Sequence, residues 1–277
     1  MADVALRQHI AADCGRDLTK ALSMGGKVDP FPSWVGTART RKLENPLIPT
    51  DNILQTDFGT FFVGTLAVES EDRRRLMVRE KVHRDTKIFV LTLISRLLAA
   101  QHARITLTLG VPINQANKDV KQALEELLLG SYALTLNGVQ KRFTIDRLQL
   151  VHEGAAASRI LFPNAPGTQR LIDIGSRTVN FATIVNGRYR DLESDTLDYG
   201  AETIESGPAL ANRIIGDLSR YWGTFQDDTY ALGGGILKDG VSATLKEALP
   251  KLHIPEDPRF LNVRAFFEIG EKAAVKA

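Results

Sequence analysis

Two Asp-x-Gly turns constrain this chain more than any other feature. They are Asp13-Cys14-Gly15-Arg16-Asp17-Leu18-Thr19-Lys20 and, 160 residues on, Asp173-Ile174-Gly175-Ser176-Arg177-Thr178. Each follows a short apolar, strand-like run: Ile10-Ala11-Ala12 before the first, Leu171-Ile172 before the second. Each is followed by another such run, Ala21-Leu22 and Phe181-Ala182-Thr183-Ile184-Val185. A tight turn between two such runs reads as a hairpin. Finding the same hairpin twice points to two halves built on one theme. A third feature, Gly233-Gly234-Gly235, follows the strand-like Tyr230-Ala231-Leu232.

The remaining segments fill in an interspersed strand and helix pattern. Residues 4–12 and 18–24 read as strands around the first turn. A less regular region begins at Gly25-Gly26 and contains Pro30, Pro32, Pro46 and Pro49, which disfavour long helices. Phe58 to Val68, aromatic and β-branched with Gly59 and Gly64, reads as a hairpin. Arg79 to Ala100 carries Ile88, Leu91, Ile94, Leu97 and Leu98 at helical spacing. Arg104 to Leu109 alternates as a strand, and Asn117 to Leu129 is a second helix that Gly130 stops. Asn137-Gly138 between two strand-like runs is a hairpin signal, because both residues tolerate positive φ.

Pro163 and Pro166 mark the expected junction, with a first domain over residues 1–162 and a second over 163–277. The first would carry a small subdomain at about 30–75. In the second half, Leu171 to Asp191 reads as three strands with a turn at Asn186-Gly187. A helix carrying Ala211, Ile214, Ile215, Leu218 and Trp222 follows. The strand Thr229–Leu232, the triple glycine, a helix from about Val241 and a last helix from about Val263 complete the chain. The class is α/β.

Composition narrows the partners. A net charge of +2 gives no bulk electrostatic reason for nucleic-acid binding. The basic run Arg73-Arg74-Arg75 reads as a solvated helix face. The single cysteine, Cys14, fits a reducing compartment and a packing role. No apolar run reaches the roughly 18 residues of a membrane span; Ile88 to Ala100 comes nearest and is broken by Ser95 and Arg96. The N-terminus lacks a signal peptide's basic and apolar regions, and a cytoplasmic protein is the expectation.

Chemically, a carboxylate at a strand end followed by glycine suits a divalent cation held through water. Glycine also lets backbone N–H groups come close to phosphate oxygens. Lys20 could reach a phosphate as a point charge. Two such hairpins facing each other could grip a triphosphate, with the later glycines beside the base.

Taken with Gly233-Gly234-Gly235, the paired turns resemble those of the actin-like ATPases, and most of all the plasmid-segregation, ParM-like branch. Further segments carry the likeness: Arg84-Asp85-Thr86-Lys87 before an apolar helix, Leu109-Gly110-Val111-Pro112, Leu134 to Ile145, Leu150-Val151-His152-Glu153-Gly154, and Leu261-Asn262-Val263-Arg264-Ala265-Phe266-Phe267. The resemblance implies a two-domain actin-like fold with a duplicated ribonuclease-H-like core, and a last helix that returns to the first domain. It implies an ATPase that takes ATP or GTP with Mg2+ and polymerises. By the same analogy its partners are other copies of itself and a DNA-binding adaptor that links the filament to plasmid DNA, with no direct nucleic-acid contact.

Role by role, the resemblance matches Asp13, Gly15, Arg16, Asp17, Thr19 and Lys20 to the first phosphate loop. Asp173, Gly175, Ser176, Arg177 and Thr178 match the second, and Gly233, Gly234 and Gly235 the adenosine loop. Asp13 and Asp173 would hold the metal through water. Glu153 would orient or deprotonate the attacking water, with Asp173 as the second catalytic residue. The alternatives are a surface carboxylate at a strand end for Glu153, a solvent-facing lysine for Lys20 and a solvent-facing side chain for Arg177.

The departures matter as much. Arg16 and Asp17 replace the small residues usual in loop one, and Asp17 adds negative charge that magnesium or Arg16 must offset. Loop two has no second glycine after Gly175. Only 60 positions separate Asp173 from Gly233, so the second half's small subdomain is expected to be reduced or absent. A small-molecule kinase of the same superfamily, sugar or pantothenate kinase-like, is the competing reading. It requires a catalytic Asp that Gly110-Val111-Pro112-Ile113-Asn114 does not offer. A nucleotide-gated binding module without turnover is the third.

Overall fold

In the computed structural model, which describes residues 6–43, 45–75, 81–100 and 102–274, the chain divides into two units. The first comprises Met1–Gly110, Asn117–Leu150 and Phe266–Ala277. Its strands begin with β1 (Leu6–Cys14), β2 (Leu18–Ser23), β3 (Gly26–Lys27), β4 (Phe31–Pro32) and β5 (Trp34–Thr37). They continue with β6 (Asp51–Thr56), β7 (Gly59–Gly64) and β8 (Arg74–Arg75). Helix α1 (Arg84–Leu97), strand β9 (His102–Val111), helix α2 (Lys118–Leu128), β10 (Gly130–Leu136) and β11 (Val139–His152) follow. Among the described residues the strands form one sheet ordered β3-β2-β1-β9-β11-β10-β6-β7-β5-β8, with β4 paired to β2.

β1 owes its burial to its neighbours. It pairs antiparallel with β2 and parallel with β9, and its residues from His9 to Cys14 are all buried. A strand flanked on both edges and covered by a helix reads as a continuous apolar run rather than an alternating one. Helix α1 supplies cover, with Ile88, Phe89, Leu91 and Ile94 fully buried. His83 caps it by accepting from the Asp85 N–H at 3.1 Å, so helix begins at Arg84, later than residue 79; residues 79 and 80 lie outside the described ones. Asn117 caps α2 in the same way, accepting from Val120 N–H at 2.9 Å. Asn137 and Gly138 take φ of 49° and 80° and close the β10–β11 hairpin, as their residue types require.

Two expectations are corrected here. The hairpin read over Phe58–Val68 is instead β6 with β7, turning at Asp57-Phe58; residues after Gly64 enter a 3-10 turn, Thr65–Glu69. Asn52 occupies an inward position on β6, 1% exposed, and its amide NH2 donates to Thr50 O and Val63 O, both at 3.3 Å. A buried polar residue there breaks the apolar alternation that would have announced the strand. The Arg73-Arg74-Arg75 run is not a helix face. Arg74 and Arg75 form β8 beside β5, Arg74 pairs with the buried Asp85 at 2.7 Å, and Arg73 lies over the Trp34 ring.

The second unit comprises Val111–Ala116 and Val151–Ala265. After the single-turn α3 (Ser158–Leu161) it holds β12 (Thr168–Ile174), β13 (Val179–Val185), β14 (Arg188–Leu197), α4 (Gly207–Leu218), β15 (Asp228–Leu232), α5 (Val241–Ala248) and β16 (Leu252–His253). Helix α6 (Leu261–Ala274) starts in this unit, and its residues from Phe266 onward are part of the first. The sheet order is β14-β13-β12-β15-β16. β12 repeats the surroundings of β1, antiparallel to β13 and parallel to β15. Between β14 and β15 stands α4 alone. Ser206 caps it and Pro208 occupies its first turn. Its apolar face meets Phe181, Ile172 and Leu245. Trp222 lies beyond the helix end, its N–H bonded to Leu218 O at 2.8 Å, and is 1% exposed.

Candidate functional site

The first-unit residues are gathered around one bend. Asp13, 5% exposed, lies opposite Lys20 in the β1–β2 register, and the two form an ion pair of 2.9 Å. Burial by itself pushes the Asp13 carboxyl up, but the Lys20 and Lys81 cations outweigh it and hold it below the usual value. Gly15 is required sterically: a Cβ there would come within 2.7 Å of Leu18 O. Thr19 is buried and shares a hydrogen bond of 2.9 Å with Ser33. Ser33 in turn donates to Gly15 O at 2.6 Å, and its N–H donates to Asp17 O at 2.7 Å. Lys20 is therefore not a solvent-facing lysine; it is held against Asp13.

Asp17 is offset differently from expectation. The guanidinium of Arg75 pairs with Asp17 and donates to Arg16 O at 3.2 Å. Lys81, 8% exposed, donates to Cys14 O at 2.7 Å. Ser33, Arg75 and Lys81 thus fix the loop-one backbone, and none was singled out for that role. Their contacts span 14 to 67 residues of sequence, which no local pattern reports.

In the second unit Asp173 is 6% exposed and accepts from Asn262 Nδ2 at 2.8 Å. The turn closes with Gly175 N–H on Thr178 O at 2.9 Å. Its outer edge is bound by the segment after β14: Ala201 N–H donates to Gly175 O at 2.9 Å and Glu202 N–H to Ser176 O at 2.8 Å. Gly200 makes that approach possible, since a Cβ would sit 2.7 Å from Arg177 N. Arg177 faces Glu202 at 3.8 Å.

The triple glycine packs directly on the same bend. Gly233 has φ 87°, and a Cβ on it would meet Asp173 Oδ1 at 2.5 Å. Gly235 packs against Ile174, and Gly234 is exposed. Lys238, at the end of this loop, donates to Ala201 O at 2.6 Å and Ile204 O at 2.7 Å, which ties it to the segment after β14. Glu153 is 9% exposed, so it is not a surface carboxylate. Its N–H donates to Val111 O at 2.8 Å. The adjoining Gly154, at φ 75°, packs on the Asp173 and Asn180 side chains. The second unit therefore brings together Glu153, Asp173, Gly175 and Gly233–Gly235, and adds Asn262, Asn180 and Lys238. His152 stacks on Tyr189.

A family model described as "Actin like proteins N terminal domain" matches residues 11–155, just over half of the chain. No curated protein sequence matches significantly. Solved structures do. ParM of psk41, in its apo form, aligns with TM-score 0.80 and 17% identity over 98% of this chain and 99% of its own. An AlfA filament from a B. subtilis plasmid aligns with TM-score 0.76 and 17% identity over 94% and 98%. An archaeal actin homologue in complex with ADP aligns with TM-score 0.78 and 20% identity over 96% and 99%. At these identities the likeness establishes the fold: actin-like, along the full chain.

Proposed function

The chain belongs to the actin-like proteins, and from that premise we propose that it is a nucleotide-dependent, filament-forming ATPase of the plasmid-segregation type. The observation that carries this reading is the repeated hairpin. Asp13 and Asp173 occupy the same position on two hairpins with the same strand surroundings, and each carboxylate is buried and held by a specific partner.

Loop one offers positive charge and turn N–H groups to phosphates, and loop two and Gly233–Gly235 offer close backbone approach to them. The residues fit a hydrated magnesium. Among the described residues no three His, Cys, Asp or Glu cluster as a direct cage, whereas magnesium keeps several waters and takes one or two carboxylates plus substrate phosphates. When bound, the ion neutralises phosphate charge. Asp13 and Asp173 would hold it through water. Glu153, inward on its turn, orients the attacking water and accepts its proton as that water attacks the terminal phosphorus and the bond to the leaving diphosphate breaks.

Closed, nucleotide-bound copies would add head to tail, a heterologous contact that does not close on itself and so extends. Two of the similar structures are named as filaments of ParM and AlfA, which supports self-assembly here. A DNA-binding adaptor as second partner, ATP or GTP as the nucleotide, and a cytoplasmic setting complete the proposal; among the described residues no helix is long and apolar enough to cross a membrane. The test is electron microscopy and phosphate release after mixing with ATP and magnesium. Wild type should form filaments and release phosphate. Glu153→Ala should form filaments while releasing phosphate about 100-fold more slowly. Dispersed monomers over a wide concentration range would contradict the filament reading. Unchanged release by the variant would remove Glu153 from the chemistry.

A further inference from the structure

One side chain joins the Asp173 carboxylate to the backbone of the Glu153–Gly154 turn. Asn262 lies in the first turn of α6 and is 7% exposed. Its Nδ2 donates to Asp173 Oδ2 at 2.8 Å, and its Oδ1 accepts the Gly154 N–H at 3.1 Å. The orientation of the amide follows from its partners: reversed, it would set a carbonyl against a carboxylate and an NH2 against an N–H. An asparagine in the first turn of a helix ordinarily spends its oxygen on the helix's own N–H groups. Here both ends reach instead to partners 89 and 108 residues away in sequence. Gly154 has little latitude of its own, since its Cβ position lies 3.2 Å from Asp173 Cβ and 3.3 Å from Asn180 Cβ.

We propose that Asn262 is a positioning residue of the hydrolytic site, fixing the Asp173 carboxylate and the Glu153–Gly154 turn in one mutual arrangement. The proposal rests on the ATPase reading above. Partners that orient metal-binding carboxylates typically cost 10- to 100-fold in metal affinity or activity when removed. Two substitutions separate the two bonds. Asn262→Ala removes both. Asn262→Asp keeps an acceptor for Gly154 but sets a carboxylate against Asp173.

Three readings are taken, after melting curves confirm that each variant is folded. In nucleotide-free protein, exchange of the Gly154 amide should speed up about tenfold or more in Asn262→Ala and stay near wild type in Asn262→Asp. The magnesium concentration for half-maximal binding of the ATP analogue AMPPNP should rise about tenfold in both. At saturating magnesium, kcat for phosphate release should fall about tenfold or more in both while KM for ATP stays within about twofold. Wild-type exchange and wild-type magnesium dependence in Asn262→Ala would overturn the proposal. If Asn262→Ala does not fold, Asn262→Asp decides by the magnesium reading alone. If wild-type protein binds AMPPNP with magnesium yet releases no phosphate, the ATPase reading fails, and exchange and magnesium dependence still decide the role of Asn262.

Discussion

The two Asp-Gly hairpins share a backbone and differ in what faces the carboxylate. In each, the aspartate is the penultimate residue of its strand, and its cross-strand partner lies seven residues further on: Lys20 for Asp13, Asn180 for Asp173. Asp13 is met by cations, Lys20 in contact and Lys81 nearby. Asp173 is met by a neutral amide, Asn262, while Asn180 is occupied with Thr196 at 2.7 Å. A cation beside a carboxylate cancels its charge locally and leaves a positive group to share with phosphate. An amide beside a carboxylate holds it in place without adding a charge of its own. Under the proposed function, the difference gives the first hairpin the larger share of the phosphate charge and Asp173 the larger share of the magnesium that both aspartates would hold through water.

The largest effect that can break this contrast is at Lys20. Lys20→Met leaves a buried carboxylate without its contact cation. It should destabilise the protein by about 3 kcal/mol in a denaturant titration and weaken nucleotide binding with or without magnesium. A variant as stable as wild type would mean that Lys81 alone balances Asp13. A smaller effect is expected at Arg75, whose pair with Asp17 is partly exposed. Arg75→Ala should lower nucleotide affinity by about 1 kcal/mol, and adding Asp17→Asn should restore most of it. Without that recovery, Arg75 acts through the Arg16 carbonyl and not through charge.

The smallest effect concerns pH and lies outside both hairpin turns. His9 on β1 is bonded to Glu271 at 2.8 Å and Thr108 at 2.9 Å, and stacks on Phe267. Gly270 leaves room for its ring. Burial lowers its pKa, and Glu271 only partly opposes this. The unfolded chain therefore binds the proton first on acidification. The stabilisation is complete above the ordinary histidine value and is lost as pH falls from there toward the depressed one. His9→Gln should flatten the fall of melting temperature between pH 7 and pH 5. The flattening should be partial, because His152, also lowered by burial, contributes a slope of the same sign.

What the sequence disclosed follows the range of the forces involved. The hairpins and the Asn-Gly turns are local events, and spacing alone marked the bends at Asp13 and Asp173 and the triple glycine; the roles proposed for them came from the resemblance. The short Asp173–Gly233 interval implied a second small subdomain reduced to a helix or absent, and between β14 and β15 stands α4 alone. β6 was missed because Asn52 interrupts its apolar side, and its partners are backbone carbonyls that leave no trace in composition. Arg73-Arg74-Arg75 was misread because a basic run looks the same whether it meets water, a buried Asp85 or a loop aspartate. Ser33, Lys81 and Asn262 act across long stretches of chain, where only folding shows who their partners are.

The division of labour between the hairpins is tested most directly by calorimetric titration of AMPPNP into wild type, Asp173→Ala and Lys20→Met, each with magnesium and with EDTA. For wild type, magnesium should tighten binding. Asp173→Ala should bind in magnesium about as weakly as wild type does in EDTA, and Lys20→Met should lose affinity equally in both conditions. An Asp173→Ala protein that still gains as much from magnesium as wild type would contradict the account.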